Sequence, residues 1–128
     1  DPVAHDWWLY QIITGCGGLI LQDPDPVLLY RQHGGNIIGA NLSVSARMTR
    51  VFALLGGRFR RWNDTGLAAL SASQHRFTPE ARQAMAQFIQ ARSGRPWRRL
   101  AALRSSGVYR QSRLGNLALY VACLLGRL

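Results

Sequence analysis

Three clusters of side chains in this sequence have types and spacings suited to chemistry. The first is His5-Asp6-Trp7-Trp8. A carboxylate at a helix N-terminus is held ionised by the helix dipole and the free N–H groups, so Asp6 is a ready proton acceptor, and neighbouring aromatics can stack on a sugar ring. The same Asp would equally serve as an ordinary N-cap. The second is Tyr30-Arg31-Gln32-His33-Gly34-Gly35-Asn36, where a hairpin delivers Arg31 and His33 to a glycine-flanked loop. Arg and His there suit phosphate or a metal ion, while a lone His in a polar loop is also the usual solvated side chain. The third, Asp23-Pro24-Asp25, has two carboxylates at a spacing that can hold a divalent cation. Its prolines explain both aspartates as turn residues, and no nucleotide-binding βαβ pattern precedes them.

The glycines spell neither G-x-G-x-x-G nor a P-loop, there is no H-E-x-x-H, and no Ser/His/Asp set stands out. Cys16 and Cys123 lie far apart in apolar surroundings, which predicts buried reduced thiols rather than a disulfide or a metal pair.

Local patterns give the elements that would carry these groups. Residues 7–16 read as a short helix with Asp6 at its N-cap and Gly17-Gly18 as its stop. Residues 19–22 and 27–32 are β-leaning runs around Asp23-Pro24-Asp25-Pro26, which predicts a β-hairpin. From residue 43 the pattern turns helical. Ser43 caps a helix with Val44, Met48, Val51, Phe52 and Leu55 on one face, closed by Gly56-Gly57. Residues 59–73 form a weaker helix, because Asn63-Asp64-Thr65-Gly66 interrupts it. Thr78-Pro79-Glu80 starts a helix ending near Gly94, Pro96 opens another, and Ser112 caps the last, with Leu114, Leu117, Val121, Leu124 and Leu125.

Of the 128 residues, 48% are apolar and 17% charged, a globular balance that excludes a disordered chain. All 16 basic residues are Arg, and they are unevenly spread. Residues 1–40 hold four Asp against Arg31, a net of −3, and residues 41–128 hold 15 Arg against Asp64 and Glu80, a net of +13. The second part suits a polyanion such as anionic lipid or nucleic acid, or is simply a solvated basic face. The longest strongly apolar run, residues 117–125, is too short to cross a bilayer, and no signal-peptide order opens the chain. A cytoplasmic location is expected, with peripheral contact at the inner membrane.

Taken in order, Ala4-His5-Asp6-Trp7-Trp8-Leu9-Tyr10, Ile20-Leu21-Gln22-Asp23-Pro24-Asp25-Pro26 and Leu28-Leu29-Tyr30-Arg31-Gln32-His33-Gly34-Gly35-Asn36-Ile37-Ile38-Gly39 resemble the end of the catalytic domain in family 2 glycosyltransferases. The resemblance is to the rhamnosyltransferase-like group of bacterial surface-polysaccharide enzymes and covers residues 4–41. It implies a GT-A fold that inverts the anomeric centre by direct displacement, with Asp6 as general base and His5, Trp7 and Trp8 around the acceptor. It also implies that His33, with Arg31, meets donor phosphate or the divalent cation (Mg or Mn) of the full-length parent. No cofactor is expected in this fragment.

The family's sugar-nucleotide half, with its metal-binding D-x-D, has no counterpart in these 128 residues, so the chain is expected to be a C-terminal, acceptor-side piece that is inactive alone. The expected architecture is α+β and mostly α. Residues 1–41 would supply a short helix and a β-hairpin from the end of the GT-A core, and residues 42–128 a basic tail of about five short helices. Expected partners are the missing N-terminal nucleotide-sugar-binding domain and a glycan or lipid-linked acceptor in lipopolysaccharide or other polysaccharide biosynthesis. An anionic membrane surface and a second copy of the chain are further candidates. The alternative is a basic helical module for nucleic acid, supported by Arg interleaved with Trp62, Trp97 and Tyr109, although no helix-turn-helix or RNA-binding motif is legible.

Overall fold

The computed structural model of the chain describes residues 5–21, 25 and 56–128. Within them run α1 (His5–Gly15), α2 (Arg58–Ser73), a 3-10 turn (Gln74–Arg76), α3 (Pro79–Gln90), α4 (Pro96–Ser105) and α5 (Arg113–Leu124). No strand occurs among the described residues. Residues 19–21 are not in a strand, and the other arm expected for the hairpin lies outside the described residues, as do the helix expected after Ser43 and the expected domain boundary near residue 41.

α1 ends as its glycines dictate. Gly17, at φ 81°, takes the left-handed conformation that a side chain would resist. Its N–H donates to the Thr14 carbonyl at 3.0 Å and that of Gly18 to the Ile13 carbonyl at 2.8 Å, the paired bonds of a Schellman motif. The start differs from expectation: the helix begins at His5, so Asp6 is in the first turn and not at the N-cap. α1 packs on α2, and its last residue meets the turn that follows. The Thr78 N–H donates to the Gly15 carbonyl at 2.8 Å, and Gly15 is buried beside the Phe77 ring.

α2 runs without a break through Asn63-Asp64-Thr65-Gly66, where an interruption was expected. Phe59, Trp62, Asn63, Gly66, Leu67 and Leu70 recur at helical spacing and are half-buried, so burial along one side outweighs the poor intrinsic propensity of the four. Thr65 donates its hydroxyl to the Arg61 carbonyl at 3.1 Å, and Asp64 pairs with Arg92 from the α3–α4 connection. Asp64 is thereby turned away from the helix backbone, while Thr65 bonds the carbonyl one turn back, a contact that the helix tolerates.

The later helices begin where the sequence places them. Thr78 Oγ1 accepts from the Ala81 N–H at 3.2 Å with Pro79 at the first helical position, and Ser112 Oγ accepts from the Gly115 N–H at 3.0 Å. Between α4 and α5, Asn116 clamps the chain from both sides. Its Oδ1 accepts from the Arg110 N–H at 2.6 Å and its amide donates to the Arg110 carbonyl at 2.7 Å.

The core is formed by Ala91, Ala102, Leu103, Leu119, Ala122, Cys123 and Leu128, with Phe59 and Phe88 packed against it. Ala102 on α4 and Ala122 on α5 are buried in this core, where small side chains let the two packed helices approach. Around this core, arginines reach main-chain carbonyls. Arg92 donates to the Leu128 main-chain oxygen at 3.1 Å and the Arg60 carbonyl at 3.4 Å, and Arg60 donates to the Gly126 carbonyl at 2.8 Å. Both cysteines are free, and only Cys123 is the buried thiol expected of the pair; Cys16 is exposed just after α1. No helix among the described residues is long and apolar enough to cross a membrane.

Candidate functional site on the first helix

Eleven residues, HDWWLYQIITG, make α1, and their burial divides the helix lengthwise. Trp8, Ile12 and Gly15, at i, i+4 and i+7, lie on the side that is partly or fully buried. His5, Asp6, Trp7, Leu9 and Tyr10 are exposed.

At 3.6 residues per turn Asp6 lies on the side opposite Trp8 and Gly15, and Tyr10 stands one turn after it on the same side. Trp7 is exposed on an adjacent flank at 51%, and Tyr10 at 57%. An exposed carboxylate thus stands beside two exposed aromatic rings, one a phenol that can donate and accept. A carboxylate in the first turn also faces the positive end of the helix dipole.

The two tryptophans therefore part company. Trp7 is free to meet a ligand, whereas Trp8 is half-buried, with an indole N–H that is buried and makes no hydrogen bond. His5 precedes Asp6 at the very start of the helix and is exposed. Tyr10 is the residue that sequence reading passed over. Its i+4 spacing from Asp6 is the signal in the sequence that points to it.

Arg31, His33 and Asp23 lie outside the described residues, and Asp25 is exposed. Among the described residues no three His, Cys, Asp or Glu side chains gather into a set that could hold a metal ion. A shallow depression lined by Tyr109, Arg110, Gln111 and Ser112 belongs to the α4–α5 connection.

No protein family and no solved structure matches the chain. It is similar to the dTDP-rhamnosyl transferase RfbG of Shigella flexneri, with 39% identity over 51 residues. The match takes in 40% of this chain and 18% of that protein, so the chain spans less than a fifth of the curated relative it matches. The similarity is to a glycosyltransferase and is partial.

Proposed function

We propose that this chain is the acceptor-side, C-terminal part of an inverting family 2 glycosyltransferase of GT-A fold, in which Asp6 is the general base. The observation that carries the reading is the 39% identity to a rhamnosyl transferase, taken together with an exposed carboxylate in the first turn of α1.

In the proposed reaction the Asp6 carboxylate takes the proton of an acceptor hydroxyl. The freed oxygen attacks the anomeric carbon of a nucleoside-diphosphate sugar from the side opposite the diphosphate, which leaves with the bonding electron pair, and the anomeric configuration inverts. Trp7 and Tyr10 flank the carboxylate and offer ring faces to the acceptor sugar. His5 extends the same exposed turn. Trp8 belongs to the acceptor region by sequence neighbourhood, and its half-buried position suits it to hold α1 in place. Arg31 and His33 are proposed to meet the donor phosphates or their cation. The donor is bound by an N-terminal domain outside this chain. The relative's name makes a dTDP-linked rhamnose the first donor to test, and the acceptor is a glycan or lipid-linked saccharide.

The test is made in the full-length parent. Asp6→Asn preserves shape and removes the proton acceptor, so it should leave donor binding intact and lower kcat by about 10²–10⁴-fold. A near-normal rate would refute the base assignment. His33→Ala should instead raise the Kd for donor or metal. Calorimetry on the 128-residue chain alone should show no tight binding of nucleoside-diphosphate sugars, and micromolar binding would contradict the division of labour.

A further inference from the structure

α5 is apolar on both of its sides. Leu119, Ala122 and Cys123 are buried in the core. Leu114, Leu117, Val121, Leu124 and Leu125 recur at i, i+3, i+7, i+10 and i+11 on the other side and are between 41% and 66% exposed. A helix that is hydrophobic all round is ordinarily buried all round, and a contiguous strip of exposed aliphatic side chains marks a surface that meets something.

The charge around the strip says what that is. Residues 81–128 contain nine arginines and no acidic residue. Arg113, in the first turn of α5, lies on the same side as Leu117; Arg110, just before the helix with its guanidinium over the Phe59 ring, and Arg127, just after it and near Gly57, are also exposed. We propose that this outward face of α5 docks on an anionic lipid surface, the aliphatic strip entering the boundary between headgroups and acyl chains while the arginines at its two ends reach lipid phosphates. The fit is chemical: an apolar strip bracketed by cations and free of acids matches a surface that is apolar within and anionic above. A second copy of the chain fits worse, because a two-fold contact would bring the same arginines face to face. Nucleic acid would use the arginines and leave the leucines in water. The inference rests on the α5 surface alone and stands whether or not Asp6 is a general base.

Flotation of the full chain with phosphatidylcholine vesicles, with and without about a third phosphatidylglycerol, tests it. Binding should be more than about tenfold tighter to the anionic vesicles and should weaken at high salt. Arg113→Gln and Arg127→Gln should each weaken it by about fivefold. Leu117→Glu should weaken it by more than about tenfold while circular dichroism and Tm stay unchanged, because that side chain already faces solvent. Leu114→Ser serves as a second variant with the same expected loss. Equal binding to neutral and anionic vesicles would overturn the proposal, as would full binding by both leucine variants. So would a dimer in sedimentation that Leu117→Glu dissociates, or duplex DNA bound more tightly than the anionic vesicles.

Discussion

Gly15 lies against the ring of Phe77: a Cβ on Gly15 would come 3.1 Å from the nearest ring carbon. This contact joins the helix that carries Asp6 to the turn before α3. Phe77 is only 6% exposed, so its ring has little room to retreat.

Enlarging Gly15 should therefore loosen α1. Gly15→Leu is expected to cost about 1–3 kcal/mol through overpacking, and Phe77→Ala about 3 kcal/mol through the cavity it leaves. Denaturant melts measure both. Hydrogen exchange should show α1 opening before α4 and α5 in either variant, and uniform opening would mean that the contact does not hold α1.

Arg92 ties three stretches together through one guanidinium, meeting Asp64 and the Arg60 carbonyl on α2 and the Leu128 main-chain oxygen. Its side chain is 12% exposed and that of Asp64 is 57% exposed. Arg92→Ala should cost about 2–3 kcal/mol, because it strips several acceptors at once. Asp64→Asn should cost less than about 1 kcal/mol, the measure of a solvent-screened pair. A double-mutant cycle by chemical denaturation compares them, and equal losses would place the energy in the ion pair instead of the main-chain contacts.

Two glycines should respond in opposite directions to alanine. Gly66 is inside α2 and a Cβ there meets nothing within 4 Å, so Gly66→Ala should stabilise the fold by about 0.5–1 kcal/mol. Gly126, at φ 68°, sits where a Cβ would collide with the Arg99 guanidinium, so Gly126→Ala should destabilise by about 1–2 kcal/mol. Thermal melts of the two variants provide the check.

Burial pushes the Cys123 thiol above its ordinary pKa, with Arg99 opposing part of the shift. A thiol whose folded pKa is raised contributes stability that is complete below its unfolded value, about 8.5, and is lost as pH rises toward the folded one. Unfolding free energy should thus fall above about pH 8.5, and Cys123→Ala should remove that part of the slope. Maleimide should label Cys16 in the folded chain at once and Cys123 only on unfolding, since the first is exposed and the second buried. Equal labelling rates would contradict the packing of α5.

Much of the helical architecture was legible locally, because helix ends are set by neighbours in sequence. Thr78 with Pro79, Pro96, Ser112 and Gly17-Gly18 each act within about one turn, through a hydroxyl that accepts an N–H, a ring that fixes φ, or a glycine that tolerates positive φ. At Asn63-Asp64-Thr65-Gly66 local propensity argues for a break, and α2 has none. The helix continues because its half-buried side and the partner of Asp64 come from residues far along the chain.

Composition and local pattern alone fix the basic character after residue 40 and the run of short capped helices, the first of them carrying Trp7 and Trp8, although its start at His5 falls two residues before the position that pattern marks. Which side of each helix faces outward depends instead on packing between helices distant in sequence. Trp7 and Trp8 are identical in type and adjacent in sequence, yet one is exposed and the other half-buried, because α1 turns the side of Trp8, Ile12 and Gly15 toward its neighbours. By spacing alone the leucines of α5 fit a packed core stripe and a lipid-facing stripe equally well. They face solvent because Leu119, Ala122 and Cys123 already fill the space against Ala91, Ala102 and Leu103, and a helix of 12 residues cannot bury both of its sides against one small core.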